Sequence, residues 1–257
     1  MEFRQIKDNS KNNIDSIPWT LFEPNQSAEK CFEFEETVDN YKEVCYNTNE
    51  HGFRHNVDYS KKIIVFCGCS LTFGTGLAEE DTYPHLVTGH LGNDYDYINI
   101  SMPSTGPDIQ MLNLSWALNN FNVEKIFWYI SDPHRQVVSI IDNSINLYIP
   151  SYYYNEWFDH GIGKKFKEVN LELEDTWRLK TYWNLYSLFS LIKHKNIETY
   201  VTCWDLVLDT ELEKLRNLFG FNSLGNLNIT DLARDNAHPG IDSHRQFAEN
   251  ILKRIQS

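Results

Sequence analysis

The stretch KKIIVFCGCSLT, residues 61–72, decides the architecture. Ile63 to Cys67 is a short apolar run, too brief for a helix and bounded by lysines on one side and glycine on the other, so it reads as a buried core strand. Gly68 breaks it, and Ser70 follows in a turn that leads into a helix. In parallel α/β sheets the carboxyl end of a strand is where sites collect, which makes Ser70 the first nucleophile candidate.

Beyond this stretch the pattern alternates. A helix is predicted near Asp81–Leu91, carrying Leu86, Val87 and His90, then a strand over Tyr95–Ile100. A helix over Pro107–Asn120, with Ile109, Leu112, Trp116 and Leu118 as its apolar stripe, leads to a strand at Lys125–Ile130. Three βα repeats imply a parallel sheet. Residues 131–175 interrupt the rhythm with the aromatic-rich segment SYYYNEWFDHGIG, longer than the usual connection. The rhythm returns with a helix near Thr176–His194, a strand at Thr199–Trp204, a helix near Asp209–Leu218, a weak strand near Leu227–Ile229 and a last helix over Asp242–Ile255. The sum is an α/β domain with about five parallel strands. Residues 1–60 form a polar, Asn-rich lead with short strands expected around Cys31–Phe34 and Tyr41–Tyr46. It reads as an extension packing on a main domain of 61–257, with 131–175 as an insertion.

The 257 residues suit one large core. A formal charge of −13 repels phosphate backbones and anionic lipid, and no basic stripe stands out, which argues against nucleic-acid and membrane partners. No run reaches the roughly 20 apolar residues of a membrane span, and MEFRQIKDNSKNN lacks the apolar middle of a secretory signal, so the expected location is cytoplasmic. The five cysteines, Cys31, Cys45, Cys67, Cys69 and Cys203, show no metal-like pairing and are expected to be reduced thiols.

A serine hydroxyl attacks well only when an imidazole takes its proton, and the imidazole works best when a carboxylate fixes its tautomer. Asp235-Asn236-Ala237-His238, just before the last helix, offers both groups on one turn. Taken alone, Gly68-Cys69-Ser70 could be a βα turn whose serine caps a helix, and Asp235 and His238 ordinary turn residues. Cys69 is a rival nucleophile, since a thiolate beside an imidazole is reactive.

These blocks resemble the GDSL/SGNH hydrolase family, whose first block is a Gly-Asp-Ser-Leu-like turn after the first strand and whose last is Asp-x-x-His before the C-terminal helix. The matching residues are Gly68-Cys69-Ser70-Leu71-Thr72 and Asp235-Asn236-Ala237-His238. Asn49-Glu50-His51-Gly52-Phe53-Arg54 and the run from Phe73 to Pro84 also look like members with a lead before the core, and the likeness covers about residues 47–257. It implies a flavodoxin-like three-layer sandwich, the SGNH hydrolase fold. It also implies Ser70 as nucleophile, in preference to Cys69, with His238 as general base then acid, Asp235 orienting it and the Ser70 N–H as one oxyanion donor. The family's second-block glycine falls on Ser104, or on Gly106 if the turn is shifted. The third-block asparagine falls on Ser131, and one missing oxyanion donor can cost about 3–4 kcal/mol of barrier. Ser131, or His134 and Arg135 just beyond it, could compensate; Arg135 could instead hold a substrate carboxylate or pair with Asp132.

Other motifs carry less. Gly74-Thr75-Gly76 lacks the lysine of a phosphate loop, and no dinucleotide fingerprint occurs, so no cofactor is expected. Cys67/Cys69, His51/His55 and His85/His90 fit core packing better than a metal site, and no metal is expected. Tyr152, Tyr153, Tyr154, Trp157 and Phe158 read equally as a stacking platform or as a covering flap with its own small core. The resemblance implies a serine esterase acting through an acyl-enzyme on a small-molecule or carbohydrate ester, with carbohydrate O-acetyl groups suggested by the aromatic insertion. Acyl transfer is sibling chemistry. The alternative is a weak or inactive SGNH-like domain that binds glycan or serves in an assembly. Oligomeric state is not encoded in any of these motifs.

Overall fold

The computed structural model describes residues 29–33, 43–49, 51–103, 105–133, 135–140, 145–149 and 174–256. Its centre is a parallel sheet of β3 (Lys62–Cys67), β4 (Tyr95–Asn99), β5 (Val123–Ile130), β8 (Glu198–Cys203) and β9 (Asn222–Ser223), in the spatial order β4-β3-β5-β8-β9. The chain lays β4 on one side of β3 and then crosses to place β5 on the other. The carboxyl ends of β3 and β5 therefore flank the point where strand order reverses, the crevice in which open α/β sheets bind ligands.

Successive side chains of a strand point to opposite faces, and here both faces are covered. Ile63, Val65 and Cys67 enter one cluster with Trp128 and Val201, under the helices α3 (Pro107–Asn120), α4 (Glu174–His194) and α5 (Leu206–Phe219). Ile64 and Phe66 enter the other with Phe127 and Tyr200, under α2 (Tyr83–Leu91) and α6 (Ile241–Gln256). This double burial makes the β3 run continuously apolar and produces the three layers expected from the sequence. Local chemistry sets the helix ends. Pro84 and Pro107 sit in first turns, where a missing N–H costs nothing. The Asp205 carboxylate accepts from the Leu208 N–H at 2.7 Å, and Gly220 closes α5 in the left-handed conformation at φ 70°.

Several expectations need correction. The fifth strand is Asn222–Ser223 rather than Leu227–Ile229, because the chain pairs with Tyr200 and Val201 and then turns away at Gly225, φ 82°. The helix expected from Asp81 is a 3₁₀ turn at Glu79–Asp81 followed by α2. Cys45 is disulfide-bonded, not reduced, and the antiparallel register of β1 (Glu29–Glu33) with β2 (Glu43–Asn47) sets Cys31 opposite it. Cys67, Cys69 and Cys203 are free thiols. In the insertion, β6 (Gln136–Ile140) and β7 (Ile145–Ile149) form an antiparallel pair, while Tyr152, Tyr153, Tyr154, Trp157 and Phe158 lie outside the described residues.

The end of the lead runs along the outer side of β4. Arg54 bridges to Asn99 in antiparallel fashion. The Asp58 N–H donates to Asp96 Oδ2 at 2.7 Å. His55 bonds Glu79 through Nδ1 and Asp96 Oδ1 through Nε2, the latter at 2.9 Å, and stacks on Tyr97 with ring centroids 4.0 Å apart. Among the described residues no helix is long and apolar enough to cross a membrane.

Candidate active site

β3 ends at Cys67, and the position that follows, Gly68, has no room for a side chain. A Cβ there would lie 2.1 Å from Thr72 Oγ1 and 3.2 Å from the Tyr129 carbonyl. Ser70 then opens the four-residue helix α1 (Ser70–Phe73), which Gly74 ends at φ 78°. The serine is 4% exposed, at the carboxyl edge of the sheet. Its own N–H stands in the first turn, where amides have no acceptor within the helix.

The Asp235–His238 turn is built by the aspartate itself. Asp235 Oδ1 accepts from the backbone N–H groups of Ala237 and His238 at 3.1 and 3.0 Å, and Asn236 takes the left-handed conformation at φ 54° that the tight turn requires. The second oxygen, Oδ2, lies 2.5 Å from His238 Nδ1. Because an ionised carboxylate only accepts, Nδ1 carries a proton, and in the neutral imidazole that leaves the lone pair on Nε2. Burial alone raises the Asp235 pKa, but the bonds from His238 and the two amides outweigh it and hold the carboxyl below its ordinary value. The aspartate side chain is 8% exposed and the histidine 24%, so the imidazole reaches solvent while its anchor does not.

Folding brings these two segments together. The Arg234 N–H donates to the Gly76 carbonyl at 3.3 Å. A Cβ on Gly76 would stand 2.8 Å from Ala233 Cβ and 3.1 Å from Asp235 Oδ1, so the turn that follows Ser70 packs directly on the carboxylate of the Asp–His pair. The Ser70 hydroxyl and His238 Nε2 make no side-chain hydrogen bond to each other or to other described residues.

The oxyanion positions divide. Ser104 and His134 lie outside the described residues. Gly106 stands just before α3, where a Cβ would fall 1.7 Å from the Arg135 carbonyl oxygen, so only glycine fits. Ser131 is fully buried, and its hydroxyl donates to the Thr105 carbonyl at 2.7 Å; in this arrangement its one proton is not offered to a substrate. Arg135 is also buried, its guanidinium 5.6 Å from the Trp204 ring centroid and its backbone N–H bonded to the Asp132 carbonyl. Among the described residues no group of three or more His, Cys, Asp or Glu is arranged to hold a metal ion.

Sequence reasoning missed the supports of the site. Arg54 is 1% exposed and bonds three carbonyls of the turn after Ser70. Asn99 Nδ2 donates to the Thr72 carbonyl at 3.0 Å, and the Tyr46 hydroxyl accepts from the Gly76 N–H at 2.7 Å. His244, buried in α6, accepts the Tyr83 N–H at Nδ1 and so caps α2 from another element. The partners of all four are backbone atoms, which leave no trace in a side-chain motif.

No family model matches the chain, and no curated protein sequence matches it. Solved structures do. The crystal structure of TesA shares 12% identity over 76% of this chain and 98% of that chain, with a TM-score of 0.52. A lipolytic protein of the G-D-S-L family from Veillonella parvula is 13% identical over 76% and 98%, with a TM-score of 0.46. A carbohydrate acetylesterase family member from Sinorhizobium meliloti is 12% identical over 76% and 97%, with a TM-score of 0.47. Together with the strand order, the likeness to TesA establishes the SGNH hydrolase fold.

Proposed function

We propose that the protein is a serine hydrolase that cleaves carboxylic esters through an acyl-enzyme. The observation that carries this reading is the hydrogen-bonded Asp235–His238 pair packed on the turn that presents Ser70. Ser70 Oγ attacks the acyl carbonyl while His238 Nε2 takes its proton, and Asp235 stabilises the imidazolium that forms. The oxyanion is met by the backbone N–H groups of Ser70 and Gly106. His238 returns the proton to the departing alcohol, and water repeats the sequence to release the acid. Purified protein is expected to turn over p-nitrophenyl acetate and to be labelled by a fluorophosphonate probe, both activities disappearing in Ser70→Ala. Wild-type protein inert to both reagents would exclude this function.

One observation favours a second reading. With its hydroxyl committed to Thr105, Ser131 does not supply a third oxyanion donor, which suits a slow enzyme or an inactive domain that binds a glycan or serves in an assembly. The same labelling experiment separates the two.

A further inference from the structure

We infer that Arg54 is a positioning residue for the nucleophile turn, setting the aim of the Ser70 hydroxyl through the backbone of residues 73–77. Arg54 Nη1 donates to the carbonyls of Phe73 and Gly74 at 2.8 and 3.0 Å, and Nη2 donates to that of Leu77 at 2.6 Å. The cation thus sits at the carboxyl end of α1, where helix carbonyls point and a positive charge is favoured. Its central carbon lies 4.9 Å from the Tyr46 ring centroid and 5.2 Å from that of Phe73. Among the described residues no carboxylate lies within ion-pair distance of it, and a buried charge so placed is costlier to stability than an apolar side chain of similar volume. What it supplies is geometry: a planar fork that reaches three carbonyls at once, which a lysine ammonium cannot reproduce.

The opposite side of the same turn faces the general base. The Gly76 N–H donates to the Tyr46 hydroxyl oxygen, its carbonyl accepts from the Arg234 N–H, and the residue packs on Asp235. Residues 73–77 are thus gripped by Arg54 and Tyr46 from the lead and by residues 233–235 from the last block. Releasing the first grip lets the turn shift against the second, and with it the spacing of Ser70 and His238. Arg54 touches no reacting atom in this scheme. The inference deepens the hydrolase reading and rests on it for its kinetic consequence.

The test uses the full chain with Arg54→Lys and Tyr46→Phe, read in two ways. The first is hydrogen exchange at the amides of Gly74, Thr75 and Leu77, which bond Ser70 and Gly74 carbonyls within the turn. R54K is expected to speed exchange at these amides by about tenfold or more while β5 and β8 stay protected. The second is chemistry: fluorophosphonate labelling and kcat are expected to fall about 10²-fold with KM little changed, as for an active group displaced by about 1 Å. Y46F moves both readouts the same way by less, and it decides the matter if R54K does not fold. Wild-type exchange in the turn, loosening spread evenly over β5 and β8, or undiminished labelling despite a loosened turn each overturn the inference. Unlabelled wild-type protein refutes the hydrolase reading instead, and exchange still decides whether Arg54 holds the turn.

Discussion

In the proposed mechanism Asp235 holds the imidazole tautomer and stabilises the imidazolium, and Asp235→Asn tests that role. The amide can donate to Nδ1, which stabilises the tautomer with the proton on Nε2 and removes the base; kcat is expected to fall by roughly 10³- to 10⁴-fold while the fold survives. Steady-state kinetics beside near-UV circular dichroism measure this, and a loss below tenfold would mean that the pair is structural. Gly106→Ala has a purely steric basis, the Arg135 carbonyl standing 1.7 Å from the added carbon. It is expected to cost about 1–3 kcal/mol in urea denaturation. Ser70, Asp235 and His238 could be put forward from sequence because the proposed chemistry demands particular residue types in short, ordered blocks. The oxyanion candidates could be named from sequence as positions but not as states: the Thr105 carbonyl that accepts the Ser131 hydroxyl is a backbone atom, and no spacing rule marks it.

Among the elements, β3 and β5 could be read from sequence because burial on both faces leaves an uninterrupted apolar run. The last strand could not. Asn222–Ser223 carries no apolar signal and exists because the chain passes beside Tyr200 and Val201, whereas Leu227-Asn228-Ile229 alternates like a strand yet lies beyond the turn at Gly225. α1 is a single turn, too short for any helical period to register. α5 begins at Leu206, ahead of the start near Asp209 expected from sequence, because Asp205 caps it. Asp205→Ala is expected to remove about 1 kcal/mol of stability, read as a lower urea midpoint at unchanged m-value. An unchanged midpoint would show that the Leu208 amide finds another acceptor.

Over the whole molecule, the buried His244 and the half-buried His55 pull the pH dependence of stability in opposite directions. Burial, with Arg54 adding to it, pushes the His244 pKa from its ordinary 6.5 down to about 3. Its folded value lies below the unfolded one, so its contribution is complete above pH 6.5 and shrinks as pH falls toward 3, by about 4 kcal/mol in all. Burial pulls His55 down as well, but its bonds to Asp96 and Glu79 win and raise it to about 9. Its contribution is therefore complete below pH 6.5 and is lost as pH climbs through 9. Urea midpoints from pH 3.5 to 10 should trace a dome. His244→Asn, which keeps an acceptor for the Tyr83 amide but does not titrate, should flatten the acid side, and His55→Gln the alkaline side. His55 does this beside β4, one of the two edge strands, where residues 54–58 are laid against the side that β3 leaves bare. An unpaired strand flank is a template for a foreign chain, and we predict that this segment guards against self-association. A chain begun at Lys61 should scatter light and form oligomers at concentrations where the full protein does not.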